Sequence, residues 1–114
     1  MILLDKFIVD LEKEIDAKKE LIVSIDKNLL SLEEFYGSIS VTKRNDNKYY
    51  YLKRKEKDKL YTKYIGKDLS DNELSVYIDK NKAIRILRKR KQLEENKLKI
   101  LIEAEQKYKK VLTI

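Results

Sequence analysis

Residues 37–67 read GSISVTKRNDNKYYYLKRKEKDKLYTKYIGK, and the fold turns on them. Three runs rich in β-branched and aromatic residues, Ser38 to Arg44, Tyr49 to Arg54 and Leu60 to Ile65, are strand material. They are separated by Asn45-Asp46-Asn47 and by a turn over residues 55–58. The stretch predicts a three-stranded antiparallel meander over about residues 38–66, closing at Gly66.

On the N-terminal side the period changes from two to three and a half. Leu4, Ile8, Leu11, Ile15, Lys18, Ile22, Ile25, Leu29, Leu32 and Tyr36 step by alternating fours and threes, and all but Lys18 are apolar. This is a coiled-coil seam, and it predicts a helix over residues 3–36 about 50 Å long, with Gly37 as its C-terminal cap. On the C-terminal side Ser70-Asp71-Asn72-Glu73 has the pattern of a capping box, and nothing after it stops a helix over residues 71–112. Asp79-Lys80-Asn81 is the weak spot of that helix. Its seam runs through Ile84, Leu87, Leu98, Leu101, Tyr108 and Leu112, interrupted by Lys91, Glu94 and Glu105. Ile86, Leu93, Ile100 and Val111 widen the apolar stripe.

Residues 1–40 carry 5 basic and 9 acidic groups, and residues 68–114 carry 12 and 8, so the two helices have opposite net charge and suit each other as neighbours. The expected fold is α+β and mostly α: a single domain over residues 1–114 whose two helices pack as an antiparallel coiled-coil-like hairpin, with the meander between them. Lys18, Lys91 and Glu94 are the seam residues suited to setting the register of that hairpin. A second copy pairing through the long helices is the alternative to a monomer.

The middle 27 residues, 41–67, hold 10 basic and 3 acidic groups, as much net positive charge as the +7 of the whole chain. Such a concentration favours a polyanionic partner. With no histidine or cysteine, the chain offers no conventional triad, thiol nucleophile or thiolate metal site, and two glycines do not make a phosphate loop. Neither a catalytic residue nor a metal or cofactor is expected, and the reading is of a binder that is no enzyme. The N-terminal MILLDKFIVD is too short and too interrupted by charge for a signal peptide or a membrane span, so a cytoplasmic protein without a membrane partner is expected.

Strand side chains alternate, so Tyr49, Tyr50 and Tyr51 cannot share a face. With the pairings Val41–Tyr51 and Tyr51–Thr62, one face gathers Ile39, Val41, Tyr49, Tyr51, Leu60 and Tyr64 and packs on the helices. The other gathers Arg44, Tyr50, Leu52, Arg54, Lys59, Tyr61, Lys63 and Ile65 as a basic surface with two exposed rings. The candidate nucleic-acid-binding residues are Lys43, Arg44, Lys48, Tyr50, Lys53, Arg54, Lys59, Tyr61 and Lys63, with Arg85 and Arg88 extending the basic surface from the following helix. In such a site cations neutralise phosphates and rings stack on bases. The plainer account is that tyrosine forms strands well and lysine solubilises sheet edges.

Gly37 to Arg44, then Lys48-Tyr49-Tyr50-Tyr51-Leu52, then Tyr64-Ile65-Gly66-Lys67 ahead of a helix resemble the small three-stranded N-terminal DNA-binding domain of phage-type tyrosine integrases, over residues 37–80. The resemblance implies a sheet lying in the DNA major groove, with a DNA-facing role for Lys43, Arg44, Tyr50 and Arg54; that family's catalytic domain has no counterpart here. Tyr64-Ile65-Gly66 is also similar to part of the GIY-YIG nuclease motif, but Tyr49-Tyr50-Tyr51 stands where that family has Gly-Ile-Tyr, which would make the chain a degenerate nuclease at most. The expectation is a basic protein from a phage or mobile element that contacts nucleic acid or a nucleic-acid-bearing complex. The rival is a protein-interaction module with a host protein partner, such as a phage-encoded inhibitor of a host defence nuclease of the anti-CRISPR type.

Overall fold

The computed structural model describes residues 3–112, with side chains from Asp5 onward. Helix α1 (Leu3–Leu32) passes through a 3-10 turn at Glu33–Phe35 into strands β1 (Ser38–Arg44), β2 (Asn47–Glu56) and β3 (Lys59–Lys67), and helix α2 (Asp71–Leu112) follows. The sheet is antiparallel in the order β1-β2-β3. The expected helix–meander–helix architecture is therefore the observed one. Contacts group the chain into two compact units, residues 1–29 with 87–114, and residues 30–86.

The first unit is the antiparallel helix pair. Ile8, Leu11, Ile15 and Ile25 of the predicted α1 seam are buried, as apolar residues at alternating steps of four and three must be when a second helix covers that stripe. Leu4, the first seam residue, lies outside the described side chains. The polar positions meet across the pair: Lys18 donates to Glu94 at 2.5 Å, and Lys91 pairs with Asp26 at 2.7 Å. Glu94 is the buried charged residue among those described, at 7% exposure. The hydrogen bond from Lys18 holds its carboxyl below the ordinary value, against the opposing effect of burial. The Lys91 ammonium is held above its ordinary value, chiefly by its hydrogen bond to Asp26. Farther along the pair, Lys109 reaches Glu12 at 3.4 Å, and the Phe7 and Tyr108 rings meet edge to face at 4.8 Å. One-residue slippage of either helix would separate these partners, so the polar interruptions set the register.

The second unit holds the sheet. Both hairpin turns are two residues long, and all four central residues, Asn45, Asp46, Lys57 and Asp58, have φ between 47° and 67°. Positive φ at both central positions is the type I′ geometry, whose twist matches that of the strands it joins. Asn and Asp tolerate it best among non-glycine residues. The strands consequently run longer than expected, with Arg44 opposite Asn47 and Glu56 opposite Lys59.

These turns overturn the expected pairing. Val41 lies opposite Tyr50, not Tyr51, and Tyr51 lies opposite Tyr64, not Thr62. A slip of one residue moves a strand's side chains to the other face, while a slip of two leaves them in place. Ile39 and Val41 thus share a face with Leu52 and Tyr50, although Val41, expected in the core, is 50% exposed there. That face is the covered one: Tyr50 is 6% exposed and Leu52 3%. A bulge between Tyr50 and Tyr51 shifts the β2–β3 register so that Gly66 stands opposite Tyr50. A side chain at Gly66 would collide with Leu69, to whose Cδ2 a Cβ would come within 2.5 Å.

Where the sequence suggested a weak helix, Asn81 ties the unit together. Its Nδ2 donates to the carbonyls of Phe35 and Tyr77, both at 2.8 Å, and its Oδ1 accepts from the Gly37 N–H at 3.0 Å. Gly37 therefore does more than end a helix. The α-helical part of the first helix stops at Leu32, Tyr36 is already extended, and Gly37, at φ 145°, brings its backbone against β2, where a Cβ would lie 2.9 Å from the Lys53 carbonyl oxygen. Ser70 caps α2, accepting from the Glu73 N–H at 3.2 Å while its hydroxyl donates to the Glu73 carboxylate at 3.1 Å.

Candidate nucleic-acid interface

Alternation from the observed register sorts the paired strand residues onto two faces, with Ile65 the extra residue at the bulge. With Tyr50 and Leu52 go Lys43, Lys48, Arg54, Glu56, Lys59, Tyr61 and Lys63. On the open face lie Arg44, Tyr49, Tyr51, Lys53, Lys55, Leu60, Tyr64 and Lys67, among serines and threonines of β1 and β3. The open face carries four cations and three tyrosines and no acidic side chain. Leu60 and Tyr64 are 67% and 54% exposed.

The rings hold the middle of this face. Tyr51 and Tyr64 face each other across β2 and β3 with centroids 5.5 Å apart and planes at 56°. Tyr49 lies two residues along β2, with Lys67 as its cross-strand partner. Arg44 and Lys55 mark opposite ends of the face, and Lys53 lies between Lys55 and Tyr51. None of these four cations makes an ion pair within 4 Å among the described residues.

The sequence-predicted residues divide accordingly. Arg44 and Lys53 are on the open face. Tyr50 is not an exposed ring but part of the core. Tyr49 and Tyr51, expected in the core, are half-buried on the open side instead. The cause in each case is the two-residue first turn, which pairs the β1 aliphatics with Tyr50 and Leu52. Lys43, Lys48, Lys59 and Lys63 are exposed but belong to the covered face, beyond its buried centre.

Arg54 and Tyr61, also on that face, are already engaged. The Arg54 guanidinium reaches the Glu33 carbonyl at 3.4 Å and Glu56 at 3.5 Å and lies over the Tyr61 ring, 5.6 Å from its centroid. Together with Glu33, Glu34, Tyr36 and Lys63 they line a groove of about 410 Å³. Two carboxylates beside the arginine and lysine make it a poor place for a phosphate. Arg85 and Arg88 are exposed on α2 and fall in different units.

A family model describing a domain of unknown function, DUF6788, matches residues 8–74, more than half of the chain. The chain belongs to this family. The match runs from Ile8 of α1 through the whole sheet into the first turn of α2, so every open-face residue of this DUF6788 domain lies within it. No curated protein and no solved structure matches the chain.

Sequence reasoning placed Tyr49, Tyr51 and Tyr64 in the core and did not name Lys55 and Lys67 as site residues. The signal that finds them is Asn45-Asp46, a pair that accepts positive φ twice and so closes a two-residue hairpin. Among the described residues no helix is long and apolar enough to cross a membrane, and no group of three His, Cys, Asp or Glu side chains is placed to hold a metal ion.

Proposed function

We propose that the protein is a non-enzymatic, cytoplasmic binding protein that engages nucleic acid, or a complex carrying it, through the open face of its sheet. One observation carries the reading: Arg44, Lys53, Lys55 and Lys67 surround Tyr49, Tyr51 and Tyr64 on a face without a single carboxylate. Scattered solubilising lysines would be interspersed with acids, as they are on the helices. A one-signed field beside one exposed and two half-buried rings suits a phosphate backbone and the groups attached to it.

The test is the salt dependence of binding to labelled oligonucleotides, measured by fluorescence anisotropy. If the four cations each neutralise a phosphate, the log–log slope is about −3 to −4. Replacing Lys53 and Lys55 together by Glu should remove about two units of that slope and weaken binding to every sequence alike. A slope near zero, or a double variant that binds like the parent, refutes the proposal. A protein partner captured from nuclease-treated lysate would then favour the interaction-module reading.

A further inference from the structure

The same face carries a narrower conclusion, which rests on the reading just given: we propose that it takes single-stranded nucleic acid, with unpaired bases stacking on Tyr49, Tyr51 and Tyr64, in preference to a duplex. The argument is the placement of rings relative to charge. In a duplex the faces of the bases are occupied by their stacked neighbours, so a protein meets only phosphates, sugars and base edges. Cations suffice for the backbone, and the ring faces would find no partner. Here Arg44 and Lys55 mark the ends of the face and Lys67 its edge, Lys53 stands beside Tyr51 on the central strand, and the three rings cluster between them.

Tyr51 and Tyr64 adjoin at 5.5 Å, and Tyr49 lies about 6.6 Å along the strand from Tyr51. The result is a stepped platform of separate ring faces, Tyr51 and Tyr64 inclined at 56° to each other, with Tyr64 54% exposed. A strand whose bases are unstacked supplies π-faces to such a platform while its phosphates reach Arg44, Lys53, Lys55 and Lys67. Stacking needs no particular base, so little sequence preference is expected. Unpaired DNA and unpaired RNA offer the same base faces.

The experiment compares a labelled single strand, as DNA and as RNA, with the duplex of the same sequence at one salt concentration. Wild-type protein should bind the single strand at least about tenfold more tightly. Tyr64→Ala should lose roughly 5- to 150-fold on the single strand, with the duplex affinity and the salt slope unchanged, whereas Tyr64→Phe should bind like the parent. Because the chain has no tryptophan and three of its eight tyrosines lie on this face, its intrinsic emission should respond to stacking without any substitution. Saturation with single strand should quench it, and duplex should not.

Equal binding of single strand and duplex, or an equal loss on both with Tyr64→Ala, overturns the single-strand inference while leaving the nucleic-acid reading standing. Unchanged emission on single-strand binding overturns it as well. Binding to neither polymer defeats both.

Discussion

Tyr50→Ala is the substitution that separates the observed sheet from the one expected. A tyrosine buries roughly 200 Å² of side chain, of which the 6% exposure of Tyr50 leaves almost all removed from water. At about 25 cal/mol per Å², and after crediting the alanine that remains, the lost burial is about 3 to 4 kcal/mol, within the range for aromatic-to-alanine changes in cores. For a chain of this length each kcal/mol lowers the melting temperature by about 4 °C, so the variant should melt some 12 to 16 °C below the parent. Tyr64→Ala, on a ring more than half exposed, should cost no more than about 1 kcal/mol. Urea unfolding followed by far-ultraviolet circular dichroism measures both, and Tyr50→Phe controls for the hydroxyl. If Tyr64→Ala destabilises as much as Tyr50→Ala, the faces have been assigned the wrong way round. The proposed interface would fail with them.

Three further outcomes follow from individual contacts. Ile25→Asp puts a carboxylate into the seam of the helix pair at a site 3% exposed, and should cost several kcal/mol by denaturant titration; a loss under about 1 kcal/mol would mean that the seam is open to water. Asn81→Ala leaves the Gly37 N–H and the Phe35 carbonyl without their partner, and should lower stability by about 1 to 3 kcal/mol, with amide exchange at Gly37 accelerated; unchanged exchange would refute the tie. Glu94 titrates lower in the folded than in the unfolded chain, so its contribution is present above the ordinary carboxylate range and fades as pH falls through its depressed value. Between about pH 6 and about pH 3 the parent should therefore lose more melting temperature than Glu94→Gln, and parallel losses would show that the Lys18 contact does not stabilise the fold.

Much of this protein is written locally. Whether a residue belongs to α1 or α2 depends on neighbours three and four positions away, and the run from Leu4 to Tyr36 states that period without a slip. The cap at Ser70 and the concentration of tyrosine and lysine between Gly37 and Lys67 are local as well, so the architecture, and the segment that carries the candidate interface, were legible in the chain alone. The faces of the sheet were not legible by the same means, because alternation says which residues share a side of one strand but not how that strand is aligned with the next. That alignment came from two turns and one bulge: the first turn moved the pairing by one residue from the expected one, the second by two, and the bulge by one more. The type I′ conformation of Asn45-Asp46 joined Ile39 and Val41 to Tyr50 and Leu52, and thereby turned Tyr49, Tyr51 and Tyr64 outward. Other pairings join residues distant in sequence: Lys18 with Glu94, and Asn81 with Gly37 and Phe35. Each of those side chains reads in isolation as an interruption of its helix. Only the packed chain supplies the partner that turns a polar break into a register mark, since the energy of such a contact exists only when both groups are brought out of water together.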